Sequence, residues 1–485
     1  MSKKNLSRRD FLKFAGIGAL SSFSTVFGRT ALENNEELDE ISQTARLPKA
    51  KPDSPNILVI VVDALRADHL SGYGYHRNTS PFIDSLAKTG TLFQNAISAS
   101  SWTQPSHASL LTGRYVYDHQ AELKPLDNRF PTIGEMLQLE GYRTGAFSGN
   151  TEFFTRRQGF GRGFLHFEDD YQSVQDDVLN SSLFGFLFDY YGLRKALKYG
   201  GTPGRKYAEN TNQSILKWID RDKTSPFFVF VNYFDVHDPY LPPEPYRSKY
   251  TSVQNPGGLI NGFLEHYSPD LTPEQVQSEM ASYDGAISYV DDQIKYLLNE
   301  FKQRGLLENT LVVFTSDHGE SFGEHGFFQH SASLYIQEVH VPLIFWWPGH
   351  IPANRSIDVP VTNSAISATI LSLIKAQTNP FPGPALDPLI FGQIIEGDWP
   401  DPVSELAQFT GASPKNPSTH GAMSSVFNQK LHYIVHEKFG EELYAWVADH
   451  PESNNVIGDS SLQSFVGRFR NYLKKLIGKL ILSIP

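Results

Sequence analysis

Two uncharged runs constrain this chain most: Asn56-Ile57-Leu58-Val59-Ile60-Val61-Val62 and Leu311-Val312-Val313-Phe314-Thr315-Ser316, which end at Asp63 and Asp317. A run that is apolar and β-branched almost throughout has no solvent face, so it predicts a strand covered on both sides, as in the parallel sheet of an α/β domain. A carboxylate at the end of such a strand stands at the sheet's carboxyl edge, where ligands of open α/β folds gather. Asp317 is followed by His318, Gly319 and Glu320. Between the runs, Thr103-Gln104-Pro105-Ser106-His107-Ala108-Ser109-Leu110-Leu111-Thr112-Gly113-Arg114 reads as a hydroxyl presented at a helix start, with Pro105 suited to the first turn.

Two aspartates, a histidine and a hydroxyl suit one divalent metal with a nucleophile beside it. A threonine hydroxyl is a poor nucleophile at neutral pH, and coordination to a divalent cation lowers its pKa. The helix N-terminus adds favourable potential for an anionic phosphoryl group. Imidazole and carboxylate donors favour zinc or manganese over calcium. The metal ligands expected are Asp63, Thr103, Asp317 and His318. His237, in Phe234-Asp235-Val236-His237-Asp238-Pro239-Tyr240, follows the strand-like Phe227-Phe228-Val229-Phe230-Val231 and is a candidate to hold or protonate the leaving-group oxygen. His330 and His325 sit in a glycine-rich loop, where metal or phosphate contact competes with simple packing. His107, one turn into the helix, either touches substrate or is merely exposed, and Thr103 could serve only as a helix cap. Glu320 and Glu324 are expected to orient the loop or its histidines.

With these motifs in place, the chain resembles the sulfatase family of the alkaline phosphatase superfamily. The family signature C/S-x-P-S-R-x-x-x-L-T-G is met with Thr103 in the nucleophile position and His107 in place of arginine. The resemblance continues through Thr315-Ser316-Asp317-His318-Gly319-Glu320, His325-Gly326, Val341-Pro342-Leu343-Ile344, Glu442-Leu443-Tyr444 and Asp449-His450-Pro451-Glu452. It implies an alkaline-phosphatase-like doubly wound α/β sheet with a smaller C-terminal α+β subdomain.

The departures from that pattern carry more information. Family sulfatases oxidise the signature Cys or Ser to formylglycine; threonine cannot give that aldehyde, because its β-carbon carries a methyl group. The family's cationic positions around sulfate correspond here to His107, Asn150 and His330, which replace fixed charge with imidazole and amide. Its paired aspartates at the first strand are reduced to Asp63-Ala64, removing one hard oxygen donor of the kind calcium prefers. What remains resembles the single zinc or manganese site of superfamily phosphodiesterases and phosphoethanolamine transferases, which use threonine as nucleophile.

The 485 residues, 40% hydrophobic and 13% aromatic, suffice for one large core and a smaller one. Without cysteine there can be no disulfide, thiolate metal site or cysteine-derived formylglycine. A net charge of −11 argues against nucleic acid as a partner. Residues 1–29 contain Ser7-Arg8-Arg9-Asp10-Phe11-Leu12-Lys13 and then a short uncharged stretch, the pattern of a twin-arginine export signal. The chain is therefore expected to use the Tat export machinery and to lie in the periplasm or outside the cell, with an uncleaved signal as a further form of anchorage. Residues 30–53 read as a solvated linker, 54–375 as the catalytic domain, 376–460 as the small subdomain and 461–485 as a basic amphipathic tail. The segment 172–202 reads as an insertion that shapes or covers the pocket. The tail can lie on anionic lipid or cap the smaller domain, the latter being the commoner fate of such helices.

Three functions compete on this sequence. The leading one is an exported metal-dependent hydrolase or transferase acting on phosphate or phosphonate esters through Thr103. The second is a sulfuric ester hydrolase using unmodified threonine, and the third a binding protein with a degenerate site.

Overall fold

The computed structural model describes residues 40, 42–169, 205–254, 256–261, 270–393, 399–410, 413–449 and 452–477. The twin-arginine segment, the insertion at 172–202 and the end of the tail lie outside them. Among the described residues, no helix is long and apolar enough to cross a membrane.

The uncharged runs form strands at the centre of a nine-stranded sheet. In chain order its strands begin with β1 (Asn56–Val62), β2 (Thr91–Ile97), β3 (Arg143–Ser148), β4 (His166–Glu168), β5 (Phe227–Tyr233) and β6 (Thr310–Thr315). A separate two-stranded ribbon of β7 (Ser321–Phe322) and β8 (Phe328–Gln329) comes next; β9 (His340–Trp346), β10 (Arg355–Ile357) and β11 (Val361–Thr362) then complete the large sheet. The spatial order is β10-β2-β9-β6-β1-β5-β3-β4, with β11 also on β2. β1 lies parallel between β5 and β6, with Ile57 opposite Phe228 and Leu311. Its side chains alternate between two buried clusters, Ile57, Val59 and Val61 in one and Leu58, Ile60 and Val62 in the other. This accounts for the unbroken apolar run. The sheet is mixed, because β9 runs antiparallel to both β2 and β6.

Helices cover both faces. The long helix Pro273–Gln303 starts at a reciprocal cap in which Thr272 Oγ1 accepts from Gln275 N and Gln275 Oε1 accepts from Thr272 N. The helix Thr103–Thr112 is buried along its whole length. It packs beside the helix Ala365–Leu373, whose Ser367 hydroxyl donates to Leu110 O at 2.5 Å.

A second, four-stranded antiparallel sheet is formed by β12 (Val403–Leu406), β13 (Met423–Phe427), β14 (His432–His436) and β15 (Gly440–Tyr444). The C-terminal helix Gln463–Ile477 lays Val466, Phe469 and Leu473 in one cluster with Val426, Tyr433 and Leu443 of that sheet. Its apolar stripe therefore faces the protein's own smaller core.

The reading of 30–53 as a solvated linker requires correction at Glu40, while 42–53 are largely exposed. Glu40 is 5% exposed and accepts a hydrogen bond from Trp218 Nε1 at 2.6 Å, with Arg221 and Arg143 nearby at 3.5 and 3.9 Å. A buried carboxylate with an indole donor and two guanidinium groups is anchored, so Glu40 belongs to the folded domain.

Candidate active site

Five strand ends deliver the site. Asp63 follows β1 directly, Asn232 lies within β5, Asn150 follows β3 by two residues, Asp317 follows β6 by two, and Thr103 opens the helix after β2. Serine hydroxyls lock these ends together. Ser316 Oγ donates to Val62 O at 2.6 Å and accepts from Leu65 N at 3.0 Å, tying β6 to β1. Ser106 Oγ donates to Asp317 O at 2.6 Å and Ser98 Oγ donates to the same carbonyl, tying the Thr103 helix to β6. Ser106 in the signature is thus a positioning residue.

Asp63, Asp317 and His318 are wholly buried and bring their donor atoms within 4.8 Å of one another. His318 Nδ1 lies 2.8 Å from the Gly319 carbonyl, which can only accept, so the proton sits on Nδ1 and Nε2 keeps its lone pair. That Nε2 is 3.5 Å from Asp63 Oδ1, 3.6 Å from Asp317 Oδ2 and 3.3 Å from Thr103 Oγ1. The other carboxylate oxygens are occupied: Asp63 Oδ2 accepts from Asn150 Nδ2 at 3.0 Å and Asn232 Nδ2 at 3.3 Å, and Asp317 Oδ1 accepts from His318 N at 3.0 Å and Ala64 N at 3.3 Å. Asp63 Oδ1 and Asp317 Oδ2 have no hydrogen-bond partner. Burial, reinforced by the charge of Asp317, pushes the Asp63 carboxyl up to about 7, and burial likewise raises Asp317 to about 7. Burial lowers His318 to about 3, so its ring is neutral. Two orphaned carboxylate oxygens and one imidazole lone pair aimed at a common point fit a divalent cation.

His107 stands behind this group. Its Nδ1 faces the Thr103 carbonyl at 2.9 Å and Asp317 Oδ2 at 3.4 Å, while Nε2 faces Asn232 Nδ2 at 3.4 Å. The ring packs at 4.4 Å on Phe154, and burial lowers its pKa to about 3. The surface exposure considered for it is excluded, and both its nitrogens are engaged by protein groups. Asn150 likewise braces Asp63, and its Oδ1 accepts from Phe153 N at 2.9 Å.

A second group adjoins the first. His237, Asp238 and His330 also bring donor atoms within 4.8 Å of one another. The His330 ring lies 4.4 Å from that of His318 and 4.7 Å from that of His237. Glu320 Oε1 is 3.1 Å from His330 Nδ1, in keeping with an orienting role for that glutamate. Glu324 instead accepts from Arg66 Nη1 at 2.7 Å and from Phe322 N at 2.6 Å. His325 stacks on Tyr335 at 3.7 Å, with its backbone at φ 58°; it packs within the loop.

Sequence reasoning missed Asn232, Asp238, Gln329 and Arg205. Asn232 is the lone polar side chain of the run Phe227–Tyr233 ahead of its final tyrosine, a signal that a buried strand spares one amide for a task. Gln329 Nε2 donates to Asp238 Oδ2 at 3.2 Å. Arg205 is 8% exposed and donates from Nη2 to His237 O at 2.6 Å and Asp238 O at 3.3 Å. Burial lowers its pKa, while Asp235, Asp238 and Asp63 favour its charge.

Residues 55–376 match the sulfatase family profile. An ulvan-active sulfatase of Formosa agariphila is 25% identical over 99% of this chain and 91% of its own length. A multifunctional alkaline phosphatase superfamily protein, PehA of Trinickia caryophylli, is 23% identical over 87% of this chain and 94% of its own. Among solved structures, the phosphonate monoester hydrolase of Agrobacterium radiobacter superposes with a TM-score of 0.68 at 22% identity, covering 87% of this chain and 95% of that one. The large mixed sheet is thus the fold of these enzymes, and the chain belongs to the sulfatase family, within the alkaline phosphatase superfamily.

Proposed function

We propose that this chain is a metal-dependent hydrolase or transferase of phosphate or phosphonate esters that works through a phospho-Thr103 intermediate. The observation that carries the reading is the placement of Thr103 Oγ1 at the head of a buried helix, 3.3 Å from His318 Nε2 and beside the orphaned oxygens of Asp63 and Asp317. Asp63, Asp317, His318 and Thr103 would hold the ion, and the nitrogen and oxygen donors favour zinc or manganese. A divalent ion bound there supplies charge neutralisation and lowers the pKa of the threonine hydroxyl.

The remaining work falls to side chains and backbone. Thr103 Oγ gives up its proton to solvent and attacks phosphorus, the bond to the ester oxygen breaks, and the departing alkoxide takes a proton from water on the side lined by His237 and His330. Water or an acceptor alcohol then releases the phosphoryl group from Thr103. The helix N-terminus directs N–H dipoles at the anion. His107 fixes the Thr103 carbonyl, and with it the hydroxyl's position, while Asn150 and Asn232 hold Asp63. His237 and His330 line the side toward the leaving group. Positions where the sulfatase signature places cations hold His107, Asn150 and His330, so substrates that need a ring of fixed positive charge are disfavoured.

The names of the sulfatase relatives favour a sulfuric ester hydrolase as the second reading. A panel of aryl phosphate, phosphodiester, phosphonate and sulfate esters, run on zinc- and manganese-loaded protein, separates the two. We expect phosphoester turnover to exceed sulfate-ester turnover by at least about tenfold, about 1.4 kcal/mol of transition-state discrimination. Faster cleavage of the aryl sulfate would reverse the assignment. We also place the enzyme outside the cytoplasm, on Arg8-Arg9 and the uncharged stretch that follows; retention of an Arg8→Lys, Arg9→Lys double variant in the cytoplasmic fraction is the expected outcome.

A further inference from the structure

We propose that the outward face of the C-terminal helix Gln463–Ile477 docks on the surface of an anionic lipid bilayer. The inward face of that helix has its partner: Val466, Phe469 and Leu473 are buried against the four-stranded sheet, and the Tyr472 hydroxyl donates to Asp401 O at 3.0 Å. With about 100° of turn per residue, those positions fix what the other side carries. Ser464, Arg468, Asn471 and Lys475 lie along it and Lys474 at one margin, all exposed. Phe465, 36% exposed, stands at the other margin, and the Arg468 guanidinium reaches over its ring at 5.1 Å.

Charge gives the first argument. A face that serves solubility alone interleaves both signs. Here residues 461–485 contain Arg468, Arg470, Lys474, Lys475 and Lys479 and no acid, in a chain whose net charge is −11. Arg470 is drawn aside to Glu441, which leaves Arg468, Lys474 and Lys475 facing water. An anionic surface is repelled by the chain as a whole and attracted at this helix, so the charge distribution also sets the orientation of approach.

Charge alone would suit an acidic polysaccharide equally well. The apolar groups set among the cations favour a bilayer. Phe465 is exposed beside Arg468, Leu476 and Ile477 are half-buried, and the sequence continues Gly478-Lys479-Leu480-Ile481-Leu482-Ser483-Ile484-Pro485. A hydrated polyanion offers such aliphatic and aromatic side chains nothing. The boundary between headgroups and acyl chains takes them in, while lipid phosphates meet the lysines and arginines. Lysine stems suit that boundary, because they lie along apolar surface with the ammonium held out to the phosphates. Among the described residues no helix is long and apolar enough to cross a membrane, so the contact proposed is with the surface.

Because the chain has no cysteine, one introduced thiol reports on this face alone, whatever lipid contact residues 1–29 make. Asn471→Cys in the full chain, labelled with a nitroxide and checked for folding by circular dichroism, is mixed with vesicles of phosphatidylglycerol and phosphatidylcholine in equal parts. Electron paramagnetic resonance then reads the label's collisions with a water-soluble nickel chelate and with lipid-soluble oxygen. We expect the label to lose nickel access and gain oxygen access on these vesicles but not on pure phosphatidylcholine. Ser464→Cys, on the same face, should behave likewise, and Ser85→Cys, exposed on the helix Pro81–Thr89, should keep its nickel access. Adding Lys474→Glu and Lys475→Glu to the labelled chain should raise the lipid concentration needed for shielding at least about tenfold, since each basic residue near an anionic surface contributes roughly a fivefold factor. Labels at 464 and 471 that stay open to nickel on sedimented vesicles, shielding of the Ser85→Cys label to the same extent, or shielding that the double reversal leaves unchanged would each overturn the proposal. So would capture of the labelled face by alginate without capture by vesicles, which would make the surface a polysaccharide reader.

Discussion

The carboxyl edge of the large sheet and the seat of the C-terminal helix on its sheet place their charged groups in opposite ways. Around Val466, Phe469 and Leu473 the apolar stripe is buried and the charges stay at the rim, where Arg470 meets Glu441 and Glu441 also accepts from the Tyr433 hydroxyl. At the carboxyl edge, Asp63 Oδ1 and Asp317 Oδ2 are buried without a hydrogen-bond partner, and burial drives both carboxyls and the His318 ring toward their neutral forms. The first region is organised by apolar packing. The second holds groups in states that a bound cation would relieve, the mark of a site whose ligand is part of its structure.

The sharpest way to break this comparison is at Thr103. Removing one hydroxyl leaves packing almost untouched, so Thr103→Ala should keep its fold and nearly all its thermal stability while phosphoester turnover falls by several orders of magnitude. Intact-mass analysis after rapid quench should show a phosphoryl adduct on the wild type and none on the variant. Near-normal turnover by Thr103→Ala would remove the covalent route.

At the other region the same experiment should invert. Phe469 is fully buried and stacks on Tyr433 at a ring separation of 5.8 Å. Phe469→Ala should destabilise the protein by about 3–5 kcal/mol, read from denaturant unfolding, because it removes a buried ring and leaves a cavity. Metal content and turnover per folded molecule should not change. A variant that unfolds with little loss would mean that the helix is only loosely seated on its sheet.

A third effect is smaller and depends on pH. Asp317 has its carboxyl at about 7 in the folded protein against 3.8 as the ordinary value. Between those values the folded state keeps a proton that the unfolded state has released. The contribution is therefore fully present below about pH 4 and is lost as pH rises through about 7. Metal-free Asp317→Asn, which cannot ionise there, should match the wild type below about pH 4 and exceed it in melting temperature increasingly up to about pH 8. The buried histidines act in the opposite sense at lower pH, but they are common to both proteins and drop out of the difference. In wild type, added zinc should raise the melting temperature more at pH 8 than at pH 5, since His318 is already neutral in that range and the carboxylates must lose their protons. A zinc effect independent of pH would show that the ion binds elsewhere.

What the sequence made legible follows from the same contrast. β1 and β6 announce themselves because strands covered on both faces must be apolar throughout, and Asp63 and Asp317 stand out where those runs stop. The direction of β9 was not legible, since His340–Trp346 would look the same running either way; only its pairing with β2 and β6 reveals it. Glu40 was misread because an acidic residue in a charged stretch resembles a solvated one until Trp218 and two arginines are seen around it. His107 was read as a signature position, but its engagement with Thr103, Asp317 and Asn232 depends on three segments far apart in the chain. Asn232 and Asp238 escaped notice because their neighbours, an apolar run and a histidine, gave the stronger signals.

The smallest expected effect is at the rim. Arg470 is 41% exposed and Glu441 12%, and the guanidinium reaches the carboxylate through both Nε and Nη2. Two-point contact fixes the geometry, yet solvent at the arginine screens the attraction and ordering a long side chain opposes it. Arg470→Ala should cost only about 0.2–1 kcal/mol, and the difference from wild type should shrink further in about 1 M salt, where the screening length falls to about 3 Å. Unfolding curves at low and high salt, compared with those of Phe469→Ala, make the measurement. A loss as large as that of the buried ring, or one indifferent to salt, would show that the rim charges and Tyr433 act as a buried network, and the contrast between a helix seat with its charges at the rim and a carboxyl edge with its charges buried would have to be redrawn.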